Sequence, residues 1–228
     1  MASMYREMWY KFIALLLLAN LSHSYVVTLP ESSSLSAPLP NNQTDSALVK
    51  RGFTWHSGPA SQFPPMSQWK TYEQIFNINK PAMLSTGNTG EDVGRIWNAV
   101  LECAKIGVEE RVIFAIVMQE SGGDVGAPTT YNKDGRATAG LMQADGSAGF
   151  PGQHGLSQAQ ITSMITTGTN HYKDNLKQFG NADTADTIYK ALRAYNSGSV
   201  NQNNLSDGLG ATDGYVSDIA NRLLGRTR

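Results

Sequence analysis

The chain has 228 residues, 40% of them hydrophobic and 16% charged, with a formal charge of −1. That balance gives no basic patch for nucleic acid and no electrostatic pull toward a membrane surface. The single cysteine, Cys103, excludes an intrachain disulfide, and the length suits one globular domain plus extensions.

At the N-terminus, Arg6 and Lys11 precede the apolar run FIALLLLANL (Phe12–Leu21), shorter than the roughly 20 residues a spanning helix needs. Ser22 and Ser24 then supply small residues for cleavage, so residues 1–24 read as a signal peptide. Residues 25–51 are dominated by Ser, Pro, Asn and Thr, a composition that should not pack. They end in Lys50-Arg51, a dibasic pair that resembles the processing site of eukaryotic, especially fungal, secretory propeptides. The mature chain is expected to start at Gly52 and to be secreted.

Residues 52–80 carry Phe53, Trp55, Phe63, Trp69, Tyr72 and Phe76 among Gly, Ser and Pro. No helical period is evident, and an extended arm wrapping the domain is expected, its aromatics packing rather than binding sugar. Five helical patterns follow. The first has Val93, Ile96, Trp97, Val100, Leu101 and Ala104 on one face and stops at Gly107, with Cys103 at the face's edge as a buried thiol. The second, Glu109–Glu120, is apolar nearly all round and should be the central buried helix. Ser157 and Gln160 form a capping box for a third, with Ile161, Met164, Ile165, Gly168, Tyr172, Leu176 and Phe179. A fourth runs from Thr184 with Ile188, Ala191, Leu192 and Tyr195. A fifth carries Tyr215, Ile219 and Leu223 and stops at Gly225. No strand alternation is evident, so the fold class is mainly α, with a long Gly-rich loop from Gly122 to Gly155.

The central helix ends in a carboxylate, Glu120. The last turn exposes carbonyls and the negative end of the helix dipole, and apolar surroundings disfavour charge further. Both effects should raise the Glu120 pKa, as a general acid working near neutrality requires. Position alone leaves open a structural role, with Glu120 capped by loop N–H groups or paired with Arg136.

The segments QESGG (Gln119–Gly123), AGLMQ (Ala139–Gln143), ITTGTNHYKDNLKQFGN (Ile165–Asn181), ALRAYNSG (Ala191–Gly198) and DGYV (Asp213–Val216) occur in this order. Together they resemble the lytic transglycosylase domain, a lysozyme-like fold related to goose-type lysozymes, over roughly Val112–Leu224. The resemblance implies a lysozyme-like domain over residues 81–228, acting on bacterial peptidoglycan without a metal or cofactor. Glu120 would protonate the glycosidic oxygen between N-acetylmuramic acid and N-acetylglucosamine. It would then act as base on the muramic 6-hydroxyl, leaving a 1,6-anhydro sugar. Ser121, Gly140, Met142, Gln143, Tyr195, Asn196 and Tyr215 would line or flank the substrate site, with the Tyr215 hydroxyl close to Glu120.

A hydrolytic glycosidase needs a second carboxylate, at about 5–5.5 Å or roughly 6.5–9.5 Å according to stereochemistry. Asp124, Asp134 and Asp145 are the candidates, although Asp134-Gly135 and Asp145-Gly146 read as turns. The chain departs from the bacterial pattern at Ala137-Thr138 and at Ala144-Asp145-Gly146-Ser147, which leaves product type and cleft shape open. GLGATDG (Gly208–Gly214) misses the dinucleotide fingerprint, Ser147 lacks a nucleophile elbow, and His56, His154 and His171 lack metal-ligand spacing. Asn204-Leu205-Ser206 is a glycosylation sequon. A secreted, monomeric peptidoglycan-cleaving enzyme is expected, free of the membrane once its leader is removed. A chitin-cleaving enzyme and an inactive glycan-binding effector are the alternatives.

Overall fold

A computed structural model of the chain describes residues 52–132 and 134–227. The expected signal peptide, propeptide and Lys50-Arg51 site lie outside them. Among the described residues, no helix is long and apolar enough to cross a membrane.

The expected extended arm is extended only in part. After short 3-10 turns at Ala60–Gln62 and Met66–Gln68 comes a full helix, α1 (Tyr72–Ser85). A Thr71–Gln74 capping box starts it, and Tyr72, Ile75, Phe76, Asn79 and Met83 supply a buried face at helical spacing. Pro81 inside the helix hid that pattern, because proline removes a backbone donor and ordinarily ends a helix. The arm's aromatics mostly pack. Tyr72 stacks on Trp97 at 4.4 Å, and Phe63 lies 5.0 Å from Tyr189. The Trp69 Nε1–H points at the Tyr189 hydroxyl and the Pro64 carbonyl. Trp55 is the exception, at 60% exposed.

Next come α2 (Gly90–Ala104) and α3 (Glu110–Glu120), then a small antiparallel sheet. Its strands are β1 (Thr130–Tyr131), β2 (Ala137–Ala139) and β3 (Ala144–Asp145), in the order β1-β2-β3. Strands of two or three residues are too short to show alternation, which is why the sequence read as loop there. The chain closes with α4 (Gln158–Lys177), α5 (Ala185–Ser197) and α6 (Tyr215–Leu223). The result is mainly helical.

Helices α1, α2, α4 and α5 each start at a capping box, at Thr71, Thr89, Ser157 and Thr184. Helices α3 and α6 have no side-chain cap and depend on burial instead. Val112 through Met118 are all buried in α3, which touches α1, α2, α4 and α6. Each large apolar side chain sequestered there stabilises by about 1.5–3 kcal/mol. Cys103 is a buried free thiol that burial pushes up.

The arm is fastened to α6. Thr54 N–H donates to Asn221 Oδ1 at 2.8 Å, Asn221 Nδ2 donates back to the Thr54 carbonyl, and His56 N–H donates to Ser217 Oγ. The sequon residues fasten the arm to the loop that precedes α6. Asn204 Oδ1 accepts from Gly58 N–H, and Ser206 Oγ donates to the His56 carbonyl.

Candidate active site

Glu120 sits at the C-terminal end of α3, with the apolar body of that helix beneath it. Its Oε1 accepts a hydrogen bond from the Tyr215 hydroxyl at 2.6 Å. Burial pushes the Glu120 carboxyl up to about 7, and the Tyr215 bond only partly offsets this. The alternative partner Arg136 is engaged elsewhere. Its guanidinium pairs with Asp145 at 2.7 Å and lies 3.8 Å from Asp134.

Tyr215 is the first residue of α6, and Tyr195 lies in the last turn of α5. Burial raises both phenols well above their usual range, and the nearby Glu120 charge adds to the effect in each. The Tyr195 hydroxyl donates to the Met142 carbonyl at 2.7 Å, which ties α5 to the AGLMQ segment. Glu120, Tyr195 and Tyr215, from three separate helices, are thus brought together.

Other expected site residues occupy different positions. Met142 is fully buried, with its thioether near the Thr169 hydroxyl, so its side chain belongs to the core and not to a cleft wall. Gly168 makes room for it: a Cβ there would lie 2.4 Å from Met142 Cβ. Gly140 is buried at φ 71°, and a Cβ would lie 2.6 Å from the Ala148 carbonyl. Its glycine is a backbone requirement. Ser121 Oγ lies 2.8 Å from the Leu141 carbonyl and 3.0 Å from that of Val117, so it staples the end of α3 to the same segment.

Gln143 is half-buried and hydrogen-bonded at both ends of its amide. Its Nε2 donates to the Gly140 and Pro128 carbonyls, and its Oε1 accepts from Thr130 Oγ1. It holds the sheet to the AGLMQ turn. Asn196 Oδ1 accepts from Thr212 N–H at 3.2 Å and from Arg193 Nη2.

The three loop aspartates all have structural partners. Asp124 accepts from Gly126 N–H at 2.8 Å and meets His154 at 3.2 Å. Asp134 is exposed in its turn, and Asp145 is held by Arg136. Among the described residues, no group of three or more His, Cys, Asp or Glu side chains could hold a metal. A groove of about 610 Å³ lies between α1 and α2, floored by Phe76 and Trp97, and shares no lining residue with the Glu120 cluster.

Two supporting residues escaped the sequence reading. Asp92 is fully buried and accepts from Gly155 and Leu156 N–H at 2.7 and 2.9 Å, anchoring the end of the loop. Burial opposes its ionisation, but these hydrogen bonds and those from Thr89 outweigh it and hold the carboxyl below its usual range. The spacing Thr89-x-x-Asp92 was its readable signal. Arg193 is also fully buried, and a lone cation among Ile188, Ala191 and Leu192 was the signal there.

The family model for the Transglycosylase SLT domain matches residues 101–212. That stretch includes Glu120, Gln143, Tyr195 and Asn196 and ends just before Tyr215. No curated protein matches the chain. Members of the SLT family are lytic transglycosylases, and this match, on a mainly helical fold with a buried glutamic acid ending its central helix, supports placing the chain in the lytic transglycosylase and lysozyme-like superfamily.

Proposed function

We propose that the chain is a secreted enzyme that cleaves the β-1,4 bond between N-acetylmuramic acid and N-acetylglucosamine in bacterial peptidoglycan by lytic transglycosylation. The carrying observation is the Glu120 carboxyl, buried, raised to about 7 and bonded to one neutral phenol. A carboxyl of that kind is substantially protonated near neutrality, so it can donate to a leaving-group oxygen. Tyr215 occupies one carboxyl oxygen and leaves the other for the substrate.

In the first step, Glu120 gives its proton to the glycosidic oxygen as the bond to the muramic anomeric carbon breaks. The Tyr215 hydrogen bond stabilises the resulting carboxylate. Glu120 then takes the proton of the muramic 6-hydroxyl as that oxygen bonds to the anomeric carbon. The proton returns to the enzyme, a 1,6-anhydro sugar forms, and no water is consumed. The partners of Asp124 and Asp145 support this route over hydrolysis, since both carboxylates serve the loop.

The test is mass spectrometry of sugars released from purified bacterial peptidoglycan by the Gly52–Arg228 chain. Anhydro-muramic ends support the proposal. Reducing muramic ends would mean that water attacks, as in goose-type lysozymes. Products from chitin alone would move the substrate to N-acetylglucosamine polymers.

A further inference from the structure

Arg193 is fully buried, and among the described residues it forms no ion pair with a carboxylate. A buried guanidinium held chiefly by neutral oxygens is costly, so its contacts point to what offsets the cost. Nη1 donates to the Thr212 carbonyl at 3.0 Å, Nη2 donates to Asn196 Oδ1, and Nε has no partner. Thr212 N–H donates to the same Asn196 oxygen at 3.2 Å. The Thr212 carbonyl also accepts from Tyr215 N–H at 3.2 Å.

Two donors converging on one amide oxygen fix which way that amide faces. An Asn side chain has one acceptor end and one donor end. Here the acceptor end is consumed inside the protein by Arg193 and Thr212. The opposite end, Nδ2, is what Asn196 has left to offer. Thr212 ties the Asn196 amide to the start of α6, whose first residue, Tyr215, bonds Glu120, so Asn196 is fastened to an element that carries the site.

Building on the proposed glycan-cleaving reading, we propose that Arg193 is a positioning residue that makes Asn196 a donor-only contact, presenting Nδ2–H to an acceptor oxygen of the sugar such as an acetamido carbonyl. Asn196 could not serve a hydroxyl as acceptor without releasing Arg193. Specificity follows, because a substrate offering only a donor at that point would face another donor and lose the contact.

The experiment compares kcat and KM, each at its own optimum pH, for wild type, N196D, N196A, R193K and R193K/N196A on solubilised glycan strands, with Tm for every variant. Asp at 196 keeps acceptors toward Arg193 and Thr212 but has no donor. The proposal expects wild-type Tm for N196D with kcat/KM down on the order of tenfold, close to N196A. R193K, whose single ammonium cannot reproduce the fork, should fall similarly in the native background and add little in N196A. N196D with wild-type kcat/KM would overturn the donor role. Equal losses from R193K in both backgrounds would show that Arg193 does not act through Asn196. Should R193K fail to fold, N196D decides alone. A wild-type chain that releases no product overturns both this inference and the reading beneath it, whereas wild-type turnover with an indifferent N196D overturns this inference only.

Discussion

The Tyr215 hydroxyl donates to Glu120 Oε1 at 2.6 Å, joining residues 95 positions apart. One begins the last helix and the other ends the central one. The carboxyl is thereby held in one orientation while its surroundings still keep it protonated up to about 7.

Replacing Glu120 by Gln should lower turnover by a factor on the order of 10²–10⁴ without harming the fold. The folded pKa is raised from 4.5 to about 7, so stability is lost as pH rises through that range. The penalty is absent below pH 4.5, grows between 4.5 and 7, and is complete above 7. E120Q should therefore melt with wild type at pH 4 and above it at pH 8, by at most about 3 kcal/mol. Thermal melts at the two pH values check this.

Tyr215→Phe removes the one hydrogen bond that lowers the Glu120 pKa. The carboxyl should then titrate at a still higher pH, and the alkaline limb of the rate profile should move up. Turnover should fall, because the carboxylate formed in the first step loses its donor. A pH profile of kcat/KM for both proteins measures the shift, and an unmoved limb would count against Glu120 as the titrating acid.

Asp124→Asn, Asp134→Asn and Asp145→Asn should each keep kcat within about threefold, since surface and turn substitutions rarely disturb chemistry. Loss of the Arg136–Asp145 pair should cost at most about 1 kcal/mol. A loss of about a hundredfold or more at any one of them would make that aspartate a second catalytic carboxylate, by the size of acid–base effects.

The helical skeleton was readable because apolar spacing and capping boxes are local signals: Ser157 with Gln160, and the face of Ile188, Ala191 and Leu192, mark α4 and α5 directly. The pairing of Glu120 with Tyr215 was reachable only through family resemblance, since no local pattern reports a contact across the chain. What stayed hidden depends on side-chain direction. Met142 and Gln143 are adjacent, yet one fills the core and the other laces the sheet. Sequence alone cannot divide AGLMQ between support and cleft. Pro81 hid α1 for the opposite reason, a strong local breaker overruled by tertiary packing.

Gly168→Ala tests that support directly. Alanine favours a helix by about 1 kcal/mol over glycine. Here its Cβ would sit 2.4 Å from Met142 Cβ, a backbone-proximal atom that cannot swing away. Overpacking should win, with net destabilisation of roughly 1–3 kcal/mol. Displacing Met142 should also disturb its carbonyl bond to Tyr195 and lower turnover. Urea melts and initial rates on the same preparation would register both effects.

The clasp between Thr54 and Asn221 sets a timetable for biosynthesis. Translation delivers Thr54 167 positions before Asn221, so the arm waits for its partner until α6 has been made. Tyr215 arrives with that same late helix. Until then the Glu120 carboxyl lacks the Tyr215 hydrogen bond that orients it. The order of synthesis thus completes the Glu120–Tyr215 pair only when α6 docks.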